Sequence, residues 1–151
     1  MYERKIKIAR SKFNVSTDKN NRTFNGITFD SALEMKFYRD YVCPKYENGE
    51  IKEYQLQVKY ELQPKFVHES KTVQAINYVA DFVITYSDGT VEVIDTKGYP
   101  DSTALLKRKL FWYKYPEVNY KWICYSKIDG GWIEYELLKK RRFERKKNKR
   151  S

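Results

Sequence analysis

Tyr78-Val79-Ala80-Asp81-Phe82-Val83-Ile84-Thr85-Tyr86, then Ser87-Asp88-Gly89, then Thr90-Val91-Glu92-Val93-Ile94-Asp95-Thr96-Lys97-Gly98 is the stretch whose reading decides the fold. Two runs rich in β-branched and aromatic residues flank a Ser-Asp-Gly break, which predicts a β-hairpin. The first run is apolar at nearly every position, so its strand is expected to be covered on both faces. Asp81 interrupts that run. A carboxylate buried there without a partner costs several kcal/mol or shifts its pKa. A cation would offset the cost; a wet strand end or a paired Lys is the alternative. In Asp95-Thr96-Lys97 the outer two side chains share one face of a strand, which sets an ammonium beside a carboxylate.

The loop decides whether the two aspartates meet. A two-residue Asp88-Gly89 loop pairs Ser87 with Thr90 and places Asp81 opposite Thr96, with Asp95 on the other face. A three-residue Ser87-Asp88-Gly89 loop pairs Tyr86 with Thr90. Asp81 then lies across from Asp95, and Lys97 shares their face. Glycine at the third position suits a type I turn followed by a G1 bulge. Local propensity allows both loops. Facing carboxylates repel, so the second register makes sense chiefly with a cation between them.

Outward from the hairpin, Asp30 and Ser31 signal a helix start and Pro44 a stop. Leu33, Phe37 and Tyr41 form its expected buried stripe, with Glu34 and Tyr38 on the shoulder. Ser31-Ala32-Leu33-Glu34 also fits a capping box, so Glu34 has a local structural reading beside a functional one. Residues 51–62 alternate like a strand, and residues 64–77 read as a long polar connection. A second helix is expected from Ser102 or Thr103 to about Tyr115, then a strand over 120–125. Gly130-Gly131 breaks the chain before a last helix over 132–143. The first 26 residues read as an irregular arm. The expected order is α-β-β-β-α-β, an α/β domain with a mixed sheet and flanking helices.

The chain has 151 residues and a net charge of +10, enough for one compact domain. The charge is concentrated: residues 1–12 carry five Lys/Arg and one Glu, and residues 139–151 carry nine Lys/Arg and one Glu. The remainder is close to neutral at −2. We therefore divide the chain into a basic and polar arm (1–27), a central domain (28–138) and a basic tail (139–151). Such arms are expected of a protein that meets a polyanion, although a solvated tail serving solubility has the same composition. No apolar run approaches the roughly 18 residues of a membrane span, and the charged start argues against export. Cys43 and Cys124 stand in no metal-like spacing and are expected to be reduced core residues. The single histidine, His68, is expected at the surface.

Phe29-Asp30-Ser31-Ala32-Leu33-Glu34, Tyr78-Val79-Ala80-Asp81-Phe82 and Val93-Ile94-Asp95-Thr96-Lys97-Gly98 together resemble the PD-(D/E)XK nuclease superfamily. More closely, the chain is similar to small phage-encoded nucleases, including the endonuclease I type of Holliday junction resolvase. Ala80 stands at the name-giving proline, and Asp95 where Glu is commoner. The resemblance implies a restriction-endonuclease-like core and cleavage of DNA, with branched duplex favoured. It implies that Asp81 and Asp95 bind metal, assisted by the Thr96 carbonyl. It implies that Glu34 completes the metal or water shell, that Lys97 orients the nucleophile or stabilises the transition state, and that Gln57 belongs to the site. Hard oxygen donors favour Mg²⁺, with Mn²⁺ as substitute. A homodimer in the cytoplasm of a bacterial or phage-infected cell is the expected setting. A nicking or transposon-end nuclease of the same superfamily, and a non-catalytic nucleic-acid-binding protein, are the rival readings.

Overall fold

The computed structural model of the protein describes residues 18–151; the basic segment 1–12 lies outside the described residues. Its centre is a five-stranded mixed sheet with strand order β3-β6-β7-β8-β9. These strands are β3 (Ile51–Gln63), β6 (Ile76–Tyr86), β7 (Val91–Thr96), β8 (Tyr120–Ser126) and β9 (Gly131–Glu134). β3, β6 and β7 run antiparallel in succession, β8 joins β7 in parallel, and β9 returns antiparallel to β8. The parallel step needs a crossover. Helix α3 (Ser102–Lys114) supplies it, capped by the Asp101 carboxylate accepting from the Ala104 N–H at 2.7 Å.

The decisive hairpin adopts the three-residue loop. Thr85 pairs with Val91 and Phe82 with Ile94. The Tyr86 N–H donates to the Thr90 carbonyl at 2.8 Å, and the Gly89 N–H to the Tyr86 carbonyl at 3.0 Å. Gly89 has φ +89°, where a side chain would be strained. The same register carried one residue past Phe82 and Ile94 sets Asp81 opposite Asp95.

On one side of the sheet the chain is helical in three consecutive segments: α1 (Ala32–Phe37), a π-helical turn (Tyr38–Val42) and α2 (Cys43–Glu47). Pro44 does not stop this helix, contrary to expectation. Proline removes a donor and crowds the carbonyl four residues back. The wider π turn, in which the Cys43 N–H bonds the Tyr38 carbonyl, lies immediately before it. The buried stripe also differs from the expected one. Glu34, Met35, Phe37, Tyr38 and Val42 are buried, whereas Leu33 and Tyr41 are only half-buried. Glu34 thus sits within the stripe, not on its shoulder.

Three further expectations are corrected. Within the part of the first 26 residues that is described there is regular structure: a 3₁₀ turn (Lys19–Arg22) leads into β1 (Thr23–Phe24), which pairs with β2 (Ile27–Thr28) across Asn25-Gly26. The polar connection 64–77 holds a separate two-stranded hairpin, β4 (Phe66–His68) with β5 (Lys71–Val73). At the C-terminus, residues 131–134 are strand and not helix. Trp132-Ile133 continues β-type sequence, and β8 offers a free edge that pairs with it. Helix α4 then runs without a break over Tyr135–Arg150, so the basic tail is helical up to Arg150.

Two large apolar clusters share the sheet, beside a small one of Cys124, Ile133 and Leu138. Tyr54, Leu56, Phe82, Ile84 and Ile94 pack with Phe37 and Val42 of the helical layer. Tyr60, Leu62, Tyr78, Ala80 and Val93 pack around Phe111 of α3. Even-numbered positions of both β3 and β6 therefore serve one cluster and then the other. The changeover falls where Gln57 faces Asp81, and Gln57 has φ +54°. A residue outside the extended region there lets the strand turn its side chains from one helical layer to the other.

Candidate active site

The changeover is also where the polar side chains gather. Asp81 and Asp95 are 2% and 1% exposed, Thr96 is 5% exposed, and Glu34 is fully buried. These are the only buried polar or charged residues among the described residues. Four such groups at one level of an aromatic-rich core are costly unless each has a partner.

The partners are specific. Asp81 Oδ2 accepts from both the Thr96 N–H at 2.8 Å and the Thr96 hydroxyl at 3.0 Å. Thr96, expected to act through its carbonyl, thus meets Asp81 through two donors. Asp95 Oδ2 lies in close contact with the Lys97 ammonium, yet no well-directed hydrogen bond reaches it. Ser31 caps α1 as the sequence suggests, its hydroxyl accepting from the Glu34 N–H at 3.1 Å. The Glu34 carboxylate meanwhile accepts from the Ser31 hydroxyl at 3.3 Å and, through Oε2, from the Gln57 amide at 3.2 Å. Capping and an inward-facing carboxylate therefore coexist. Gln57 ties Glu34 to the strand position opposite Asp81.

Sequence reasoning missed the aromatic wall. Tyr78 and Tyr120 stack edge-to-face at 5.3 Å. Burial, followed by the negative charge of Asp95, pushes both phenols well above their ordinary pKa. Asp81 acts on both in the same direction. Both tyrosines consequently stay neutral. Trp122 lies opposite Asp95 in the parallel pair. The Lys97 ammonium sits 5.2 Å from the Trp122 ring and the Arg108 guanidinium 4.2 Å from it. Arg108 also donates to Glu136 Oε1 at 2.9 Å. Tyr78 was within reach of a sequence reading, three residues before Asp81. Trp122 and Arg108 were not, because their place depends on the parallel pairing of β8.

The donors suit a hard cation in part. Asp95 Oδ2 is a buried carboxylate oxygen without a directed hydrogen bond, and the register of β6 and β7, continued by one residue past Phe82 and Ile94, brings Asp81 opposite Asp95. Among the described residues no three His, Cys, Asp or Glu side chains converge as a metal-binding group. A cation here would accordingly take two carboxylates, with its other positions left to backbone, water or phosphate oxygens, as Mg²⁺ tolerates. The histidine is elsewhere, exposed on β4. Cys43 and Cys124 form no disulfide, and Cys124 is buried as expected while Cys43 is half-buried. No helix among the described residues is long and apolar enough to cross a membrane.

No curated protein matches the chain. One family model does, over residues 10–129, a span that includes Glu34, Gln57, Asp81, Asp95, Lys97, Arg108 and Trp122. On that match the chain belongs to the family described as "Protein of unknown function (DUF1064)".

Proposed function

We propose that this protein is a metal-dependent DNA endonuclease with a restriction-endonuclease-like core, of the PD-(D/E)XK type. The observation that carries the reading is the presence of two buried aspartates on adjacent strands of one hairpin, with Lys97 held on Asp95. Asp81 and Asp95 are the residues that would hold Mg²⁺ or Mn²⁺. When bound, such an ion supplies Lewis acidity toward the attacked phosphate. Thr96 fixes the Asp81 carboxylate with two hydrogen bonds, so little reorganisation is needed on binding. Lys97 Nζ carries three donors and stabilises the negative charge that grows on the phosphoryl oxygens as water adds and one P–O bond breaks. Glu34, oriented by Gln57, completes the shell that positions that water. Tyr78, Tyr120 and Trp122 line the inner side and limit entry of bulk solvent.

Branched DNA is the preferred substrate on this reading. Resolving a four-way junction requires two cuts, and a symmetric homodimer supplies the second site. The setting would be the cytoplasm of a bacterial or phage-infected cell. Cleavage of linear, nicked, flapped and four-way DNA with and without Mg²⁺ tests the proposal. Lys97→Ala, Asp81→Asn and Asp95→Asn are expected to abolish cleavage while duplex binding persists. A monomer that cuts linear duplex as readily as a junction points to a nicking or transposon-end nuclease of the same superfamily. A wild-type protein that binds DNA and cuts none with Mg²⁺ or Mn²⁺ is a binding protein instead.

A further inference from the structure

Helix α4 lies beyond the residues that carry the family match. It holds nine Lys/Arg against two Glu in 16 residues, and like charges at i,i+4 repel. Its orientation is nevertheless fixed. Asp129, whose side chain is 3% exposed, accepts from Arg145 Nη1 at 2.7 Å and Nη2 at 3.2 Å, and from the Ser126 hydroxyl at 2.6 Å. Arg141 Nη1 approaches the same carboxylate at 3.6 Å and donates to the Asp129 carbonyl at 3.3 Å. Leu138 is buried beneath the helix. One side of α4 therefore faces the sheet, and the other is turned to solvent.

The solvent side carries an unusual cluster. At about 100° per residue, Phe143 lies about 140° round from Leu138 and about 200° round from Arg145. It is 70% exposed. Its neighbours on the helix surface, three and four residues away in each direction, are Lys139, Lys140, Lys146 and Lys147, all exposed. A ligand that matches this cluster presents negative charges around an accessible flat apolar face. Phosphates flanking an unstacked base do so. A continuous duplex hides its base faces in the stack, whereas a branch point, nick or flap offers one. A lipid surface fits less well, because Leu137, the other exposed apolar residue of α4, lies about 120° away from Phe143 and no apolar stripe forms.

We infer that the outer face of α4 is a binding site for interrupted DNA, in which Phe143 stacks on an exposed base and the four lysines hold the flanking phosphates. The inference rests on the DNA-processing reading and names the element that selects branched over linear substrate. Asp129 acts as the brace that keeps this face outward.

Binding of the full-length protein to a four-way junction and to a linear duplex of equal length, in EDTA, tests it. 2-Aminopurine at the branch point reports stacking. Phe143→Ala is expected to lower the preference for the junction by about 5-fold or more and to abolish the 2-aminopurine response. Phe143→Leu, which keeps apolar bulk without a ring, should behave in the same way. Substituting Ala at all four lysines should weaken both DNAs and reduce the log–log salt slope on duplex by about 3 to 4. Unchanged junction preference in both Phe143 variants, with helix content equal to wild type, overturns the inference. So does Phe143-dependent binding to phosphatidylserine vesicles with DNA affinity unaltered. The two readings separate cleanly. Wild-type cleavage with Phe143-independent binding sinks this inference alone, whereas Phe143-dependent junction binding without cleavage by the wild type sinks the nuclease alone.

Discussion

Replacing Lys97 by Met leaves the Asp95 carboxylate buried beside apolar atoms. Its side chain is 2% exposed, and its close partner is the Lys97 ammonium, itself 14% exposed. Removing one member of a buried pair costs about 3–5 kcal/mol, most of it from the stranded charge. The slight exposure of Lys97 argues for the lower end, about 3 kcal/mol. For a chain of this size that lowers Tm by about 6–12 °C. Asp95→Asn combined with Lys97→Met removes both charges, and the double-mutant cycle should return a coupling of about 2 kcal/mol or more. Urea unfolding in EDTA measures all four proteins. Repeating the series with Mg²⁺ joins stability to the proposed chemistry. In Lys97→Met no ammonium competes for Asp95, so the cation should restore more stability than it adds to wild type. A ligand at a hundred times its Kd contributes about 2.7 kcal/mol. A loss below about 0.5 kcal/mol in EDTA, the size of an ordinary surface substitution, would falsify the buried-pair reasoning. A loss of the expected size with no Mg²⁺ response in any variant would leave the pair intact and remove the metal.

Phe111→Ala should destabilise by about 3–5 kcal/mol, because Phe111 is fully buried among Tyr60, Tyr78, Tyr115 and Tyr120; calorimetry or denaturant unfolding measures this, and a loss near 1 kcal/mol contradicts the packing. Arg145 and Ser126 hold the Asp129 carboxyl down at about 2. A depressed carboxyl contributes stability above its unfolded value near 4, about 3.9 for Asp, and loses it as pH falls toward 2. The attachment of α4 should therefore weaken across that window and not at neutral pH. Proteolysis after 134, followed against pH, detects the release, and Asp129→Asn should already show it at pH 7. Sedimentation with a junction-cleavage assay checks the symmetric dimer, and a monomer that resolves junctions by paired cuts contradicts it.

The central hairpin was legible because one loop sets its whole register. Once Tyr86 pairs with Thr90, each later partner follows by counting, and Asp81 comes to Asp95. Glu34 was legible as a candidate, though its burial was underestimated because the buried stripe runs through Glu34, Tyr38 and Val42 and not through Leu33 and Tyr41. Nothing in Tyr-Arg-Asp-Tyr-Val signals that turn except the proline that follows. Trp132-Ile133-Glu134 suited strand or helix equally by local pattern, and a long-range partner, β8, decided the outcome. Gln57 was placed at the site by resemblance, whereas its left-handed backbone depends on how two helical layers meet the sheet. Charge composition marked the C-terminus as basic but could not show that the Asp129 carboxylate, bonded to Arg145, would hold one side of the helix against the sheet.

The left-handed backbone of Gln57 bears on solubility as well. β3 is thirteen residues long and lies at the edge of the sheet. A straight exposed edge of that length is a template for another copy of the chain. The left-handed residue Gln57 interrupts the extended backbone between two stretches of six residues. Lys52, Glu53, Lys59 and Glu61 add charge to the exposed positions. A β-branched residue at 57 would favour extended backbone, releasing Glu34 and straightening the edge together. Such a variant is expected to self-associate at high concentration, which sedimentation against concentration checks.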